Sequence, residues 1–275
     1  MNLHALLLVL VTLVWGTTFP LLKSAAQHLS GLEISVVRFF VAAICMSPFA
    51  WKQNRTTWRD GALLGGVGLI SYVSQAYGLQ FISSNRSAFL TSLNVLFVPF
   101  LAWMIGSKLS LKVFLASALA CVGIGLMSWE GGSNWFGDGA TLISALSYAT
   151  YVLLLSRLSK KHTARSLAAT QIVMMALIGA FIIPFEGGTQ LASLPDRLLP
   201  VFPIILFLGV VATAGMLFLQ AIGQQRVSAA KAALIYALEP AFASLFSWMW
   251  LNEQLTQRAA LGGALVVIAV VFSEW

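Results

Sequence analysis

The sequence predicts an all-α membrane protein of ten transmembrane helices in two inverted five-helix repeats. Three observations predict it. Of the 275 residues, 59% are hydrophobic and only 9% charged, against about 25% charged in an average soluble domain. Apolar runs of the length needed to cross a bilayer, roughly 20 residues each, recur along the chain with short polar gaps. Finally, residues 75–106 match residues 220–251 without a gap, at an offset of 145. Ten of these thirty-two pairs are identical, among them Gln75/Gln220, Gly78/Gly223, Ser83/Ser228, Leu93/Leu238 and Trp103/Trp248. Average residue usage gives about two or three identities in such a window by chance. Arg86/Lys231 and Asn94/Glu239 are chemically related pairs.

The ten runs are 3–22, 32–51, 61–80, 84–106, 110–128, 138–156, 166–185, 200–221, 229–251 and 256–273. The first reads as an uncleaved span, because Met1 to His4 carries no Lys or Arg and no small-residue cleavage pattern follows. Pro20 is expected to end it. The longest connection, 186–199, holds Gly187, Gly188 and Pro195 and reads as a surface loop. Cys45 and Cys121 fall inside spans with no metal-ligand spacing around them, which suits small apolar packing.

The net charge of +7 is explained by topology and needs no nucleic acid. With the N-terminus inside, the inner connections carry eleven Lys or Arg. The outer connections and their helix ends carry five: Lys23, Arg38, Arg86, Arg197 and Arg258. That bias places both termini in the cytoplasm.

Each repeat holds five crossings, an odd number, so the second must enter the membrane from the opposite side. The halves are then related by a two-fold axis in the membrane plane, and residues at span centres meet at one depth. Asn94 and Glu239 align at the middle of spans 4 and 9. Trp15 and Tyr148 align near the middle of spans 1 and 6 through Trp15-Gly16-Thr17 and Tyr148-Ala149-Thr150. Trp and Tyr usually sit at the membrane interfaces, so two at the midplane need a polar partner or water.

Polar residues recur at three- and four-residue spacing, on one helix face each. They are Ser71, Ser74, Gln75 and Gly78 beside Tyr72 in span 3; Ser87, Thr91 and Asn94 in span 4; Thr141, Ser144, Ser147, Tyr148 and Tyr151 in span 6; Thr213, Met216, Gln220 and Gly223 in span 8; and Tyr236 and Glu239 in span 9. An unpaired polar group facing lipid costs several kcal/mol, so these stripes face a cavity or one another. The serines and threonines suit interhelical hydrogen bonds, whereas Gln75, Gln220, Asn94 and Glu239 suit a cavity wall. Spans 2, 5, 7 and 10 are mostly aliphatic or small and read as outer scaffold. The glycines at 61, 65, 66 and 68 read as a close-packing face rather than a phosphate loop.

Glu239 is the only carboxylate near the centre of a span. An ionisable residue there points to function, as a proton site or a partner for a substrate ammonium group. The structural alternative is a kink at Glu239-Pro240 whose carboxyl bonds a freed backbone group. Arg86 and Lys231 head matched spans on opposite sides, where they either snorkel or attract substrate anions. No zinc-ligand, phosphate-cradling or nucleophile pattern occurs, so neither an enzyme nor a cofactor is expected.

These residues resemble a known family. Trp15-Gly16-Thr17-Thr18-Phe19-Pro20 looks like its opening. Leu238-Glu239-Pro240, followed by Trp248 and by Asn252-Glu253-Gln254-Leu255-Thr256, looks like its second-repeat signature. Over nearly the whole chain the sequence is similar to the EamA-type, ten-span transporters of the drug/metabolite transporter superfamily. The first repeat departs from the pattern: Asn94-Val95 stands where the second has Glu-Pro, and Gly106-Ser107-Lys108-Leu109-Ser110 lacks the Glu. Within that family the chain is most similar to the YddG-type exporters of aromatic and other amino acids. The resemblance implies a bacterial inner-membrane carrier exporting amino acids by alternating access, with repeats at 1–132 and 133–275 forming one transmembrane domain. Trp15, Tyr72, Gln75, Asn94, Tyr148, Tyr151, Gln220, Tyr236 and Glu239 are its expected substrate-binding residues. The expected partners are small-molecule amino acids and the lipid bilayer, and one chain is sufficient. A carrier of cationic drugs or of phosphorylated sugars is the same-fold alternative. A membrane-embedded sensor or assembly subunit is the other class, and it lacks the soluble domain or long tail it would need.

Overall fold

The computed structural model describes residues 3–108, 110–128, 134–185, 191–251 and 257–274. Its first half contains α1 (Leu3–Gly16) and α2 (Thr18–Ala25), a broken rod; α3 (Gly31–Ala50); α4 (Arg55–Gly78); α5 (Ser84–Ser92) and α6 (Asn94–Met104), a second broken rod; and α7 (Leu111–Ser128). Its second half contains α8 (Trp135–Leu158), α9 (Ala164–Ile182), and a short α10 (Leu194–Leu198) on the connection. Then come α11 (Phe202–Gly209) and α12 (Met216–Gln224), joined by a π-helical turn at Val210–Gly215; α13 (Ala229–Tyr236) and α14 (Glu239–Leu251); and α15 (Gln257–Glu274). No strand occurs among the described residues.

Among them, seven stretches are long and apolar enough to cross a membrane, from Leu3–Ala25 to Ala229–Phe246, and Leu111–Leu126 and Ala260–Ser273 are shorter apolar helices. At 24 residues, α4 is long enough, but its glycines and its Ser71, Ser74 and Gln75 make it less apolar. The expected signature Asn252-Glu253-Gln254-Leu255-Thr256 lies outside the described residues.

The helix starts are local chemistry. Ser30 accepts from the Glu33 amide at 3.1 Å while the Glu33 carboxylate accepts from the Ser30 amide at 2.8 Å, a complete capping box. Asn54, Asn134 and Thr163 cap α4, α8 and α9. The repeated serine is explained in the same way. Ser83 Oγ accepts from the Arg86 amide and Ser228 Oγ from the Lys231 amide, so the matched residues start α5 and α13.

Two matched breaks follow, at Leu93 between α5 and α6 and at Ala237-Leu238 between α13 and α14. Asn94 Nδ2 donates to the Thr91 carbonyl at 2.8 Å and occupies an acceptor freed there. In α1–α2 the break comes at Thr17, and Pro20, expected to end that span, instead sits in the first turn of α2. Proline is tolerated there because its missing N–H has no helical partner anyway. The connection expected as a loop at 186–199 contains α10 from Leu194 onward.

Packing follows the repeat. Helix α3 lies on α9 and α7 on α15, pairs that each map onto themselves when the halves are exchanged. Helix α4 lies on α8, and its counterpart is α12 on α1. The match reaches individual residues. Gly78 in α4 abuts Thr141 and the Gly137 carbonyl, and Gly223 in α12 abuts Leu8 and the His4 carbonyl. The glycines are 145 apart, while His4/Gly137 and Leu8/Thr141 are both 133 apart, the offset that pairs Trp15 with Tyr148. The glycine face of α4 is a packing face, with Gly61, Gly65 and Gly68 against α9.

At the end holding the starts of α3, α5 and α8, polar ties join the rods. Lys23 Nζ donates to the Leu79 and Ile82 carbonyls at 2.8 and 3.0 Å. Arg86 grips Asp138 through Nε and Nη2 at 2.7 and 2.8 Å. Arg197 grips Glu33 through Nη1 and Nη2 at 2.7 and 2.6 Å. At the opposite end, Asp60 Oδ2 lies 2.9 Å from His162 Nε2, joining α4 to the α8–α9 connection.

The hydrogen bond from His162, reinforced by Arg59, holds the Asp60 carboxyl below its ordinary value of 3.8 even though burial opposes this. A depressed carboxyl contributes stability that is present above its unfolded value and lost as pH falls through its folded value. The melting difference between wild type and Asp60→Asn in detergent is therefore expected to hold from pH 7 to about pH 4 and to shrink below that. A difference that grows on acidification refutes this account.

Candidate functional site

Six rods converge on one cavity. Helix α1 contributes Trp15 and α2 Thr18. Helix α3 adds Arg38, α4 adds Ser71, Tyr72 and Gln75, α5 adds Thr91, α8 adds Tyr148 and α14 adds Glu239. The cavity volume is ≈ 30 Å³, room for two or three water molecules at about 10–15 Å³ of such volume each. Any larger substrate needs the rods to part.

Each wall is held from behind. Trp15 Nε1 donates to the Ala212 carbonyl at 2.8 Å, inside the π-helical turn. The same turn carries Thr213, whose hydroxyl donates to the Leu208 carbonyl at 2.6 Å and accepts from Arg38 Nε at 3.0 Å. The π turn thus points two consecutive residues at the cavity's supports, a use typical of π-bulges. Tyr148 OH accepts from Gln220 Nε2 at 3.0 Å. Tyr151 OH donates to Gln171 Oε1 at 3.0 Å and lies 3.3 Å from Gln220 Oε1. Ring centroids of Trp15, Tyr148 and Tyr236 lie 5.8–6.1 Å apart, and Tyr151 stacks on Tyr148 at 5.9 Å.

Of the nine residues expected from sequence, Trp15, Tyr72, Gln75, Tyr148 and Glu239 line the cavity. Tyr151, Gln220 and Tyr236 are fully buried behind it, where they orient the rings. Asn94 is buried at the α5–α6 break. Gln75 Nε2 donates to Thr91 Oγ1 at 3.3 Å across α4 and α5. Ser71 Oγ bonds Ser144 at 3.1–3.2 Å across α4 and α8, as interhelical glue.

Glu239 opens α14, where the helix dipole favours a carboxylate. It makes no hydrogen bond or ion pair with a described residue, so it does not bond a backbone group freed by Pro240. Arg86, expected either to snorkel or to attract anions, is committed to Asp138 with 19% of its side chain exposed.

Sequence reasoning missed Arg38. It was counted with the outer helix ends, and α3 was read as scaffold. The eighth residue of α3 is in fact 3% exposed and lines the cavity. The available signal was its position, two turns inside an apolar span.

A family model described as the EamA-like transporter family matches residues 2–129 and again 135–275. The chain is similar to an "Uncharacterized transporter" of Archaeoglobus fulgidus, 30% identical over 265 residues, covering 96% of this chain and 83% of that one. It is also similar to "Uncharacterized transporter YoaV" of Bacillus subtilis, 24% identical over 289 residues, covering 96% of this chain and 94% of that one. A crystal structure of a protein 16% identical in sequence superposes with a TM-score of 0.78, covering 98% of this chain and 96% of that one. At that identity the likeness concerns the fold alone.

Proposed function

The chain belongs to the EamA-like transporter family, a family of multi-pass membrane transporters, and from that premise we propose that it exports neutral and aromatic amino acids by alternating access. The observation that carries this reading is Glu239: a carboxylate without a partner among the described residues, on a cavity walled by Trp15, Tyr72 and Tyr148. An amino acid's ammonium group is the complement of that carboxylate. The rings offer cation–π and apolar surface to the ammonium and to an aromatic side chain. The subtype is the YddG-like one suggested by overall resemblance.

The two segments matched by the family model support repeats at 1–132 and 133–275. The excess of Lys and Arg on the inner connections supports cytoplasmic termini in a bacterial inner membrane. Described residues of both repeats line the cavity, so a single chain suffices for the pathway. A carrier of cationic drugs would use the same carboxylate and rings. A phosphorylated-sugar carrier would want two or more cations at the site, and among the described residues lining the cavity Arg38 is the one cation.

The test is transport by the purified protein in liposomes, with labelled neutral and aromatic amino acids, a lipophilic cation and a phosphorylated sugar, each with and without a pH gradient. Amino acid uptake above empty liposomes supports the reading. Movement of the cation or the sugar alone overturns the substrate while leaving the fold untouched.

Alternating access also requires the Arg86–Asp138 tie to open. In a background lacking Cys45 and Cys121, joining Arg86→Cys to Asp138→Cys with a reducible bifunctional thiol reagent is expected to cut turnover about tenfold or more, because the gating step is blocked. Reduction should restore it. Full turnover of the cross-linked protein excludes an opening at this tie.

A further inference from the structure

We infer that Arg38 is the subsite for the substrate's carboxylate, so the cavity recognises a zwitterion by two separate charges. This inference rests on the amino acid reading and deepens it.

Arg38 and Glu239 line the same cavity, yet no ion pair joins them among the described residues. The two charges are therefore held apart around the space where a substrate sits. An unpaired cation buried in a membrane protein is costly, and such residues mark substrate pathways rather than scaffolding. Three contacts surround the guanidinium. Nε donates to Thr213 Oγ1 at 3.0 Å. The Tyr72 and Phe39 rings lie 4.9 and 5.8 Å from Cζ. None of these takes a hydrogen bond from the far edge: Nη1 and Nη2 have no hydrogen-bond partner among the described residues.

That free edge is a planar two-donor fork, the complement of a carboxylate. A lysine at this position would offer a point charge without the fork. A purely structural arginine would instead be expected to spend its terminal nitrogens on protein carbonyls. Substrate bound between Arg38 and Glu239 supplies each with its missing counter-charge.

The test compares three probes in liposomes: labelled phenylalanine, its decarboxylated amine, and its primary amide. In wild type, the amine and the amide are expected to compete with phenylalanine at least tenfold less well than unlabelled phenylalanine does. Arg38→Gln is expected to lower phenylalanine uptake at least tenfold while leaving uptake of the amine unchanged or raised. Arg38→Lys should recover phenylalanine uptake in part. If amine and acid compete equally in wild type, the inference falls, whether or not any variant folds. If Arg38→Gln loses acid and amine in the same proportion, Arg38 is structural and the amino acid reading survives. If wild type moves no amino acid, the reading falls and takes the inference with it.

Discussion

Glu239→Gln is expected to lower amino acid uptake about ten- to a hundredfold without unfolding the protein. Glutamine keeps the shape and removes only the charge. Since the carboxylate has no partner among the described residues, the substitution strands no cation described there. On the proposed reading, what it removes is an interaction with the substrate ammonium group. A hydrogen bond to a charged group is worth about 1.5–3 kcal/mol, which is roughly ten- to a hundredfold in an equilibrium constant. The measurement is initial uptake in liposomes together with the melting temperature in detergent. Retained melting with lost uptake assigns Glu239 to transport. Retained uptake makes it a helix-dipole residue at the start of α14 and nothing more. Loss of uptake only when a pH gradient is the driving force would assign it to coupling rather than binding.

The second large effect is expected at the first residue of α3. A Cβ added to Gly31 would stand 2.6 Å from the Tyr77 nitrogen, 2.7 Å from the Ala76 carbonyl carbon and 3.1 Å from its oxygen. All three are backbone atoms near the end of α4, so no rotamer can relieve the clash. Overpacking of this kind costs about 1–3 kcal/mol, occasionally more. Gly31→Val should sit at the upper end because a branched side chain cannot turn away. At roughly 2–4 °C per kcal/mol, its melting temperature should fall by about 5–10 °C. Gly66→Val is the control, since a Cβ there meets nothing within 4 Å. Equal losses at both positions would show that glycine's backbone freedom, not close approach, is what matters.

Much of this arrangement is legible in the sequence. The offset of 145 predicts that whatever happens at residues 83 and 93 happens again at 228 and 238, and both the caps and the breaks do. Trp15, Tyr72, Tyr148 and Glu239 announce themselves because each is a residue type that hydrocarbon does not tolerate at mid-depth. The rest was hidden for physical reasons. A proline reads as a helix end, but at Pro20 it stands in the first turn after the break, where it costs nothing, so the signal is displaced by three residues from Thr17. The π turn at Val210–Gly215 has no sequence mark, because an extra residue in a helix is accommodated by neighbours rather than by its own side chain. Arg38 was assigned to a helix end because charge-counting sorts every cation into an inner or outer connection and has no class for one at the site.

The crossed glycine contacts carry one more consequence. Gly78 on Thr141 and Gly223 on Leu8 are the same joint built twice, once toward each face. If the rods part at one joint while closing at the other, an added methyl at 78 and one at 223 push the resting balance in opposite directions, and the pair together nearly cancel. The resting balance is then set by the difference between the two joints, and what distinguishes the two faces is where the repeats differ, as Asn94 differs from Glu239.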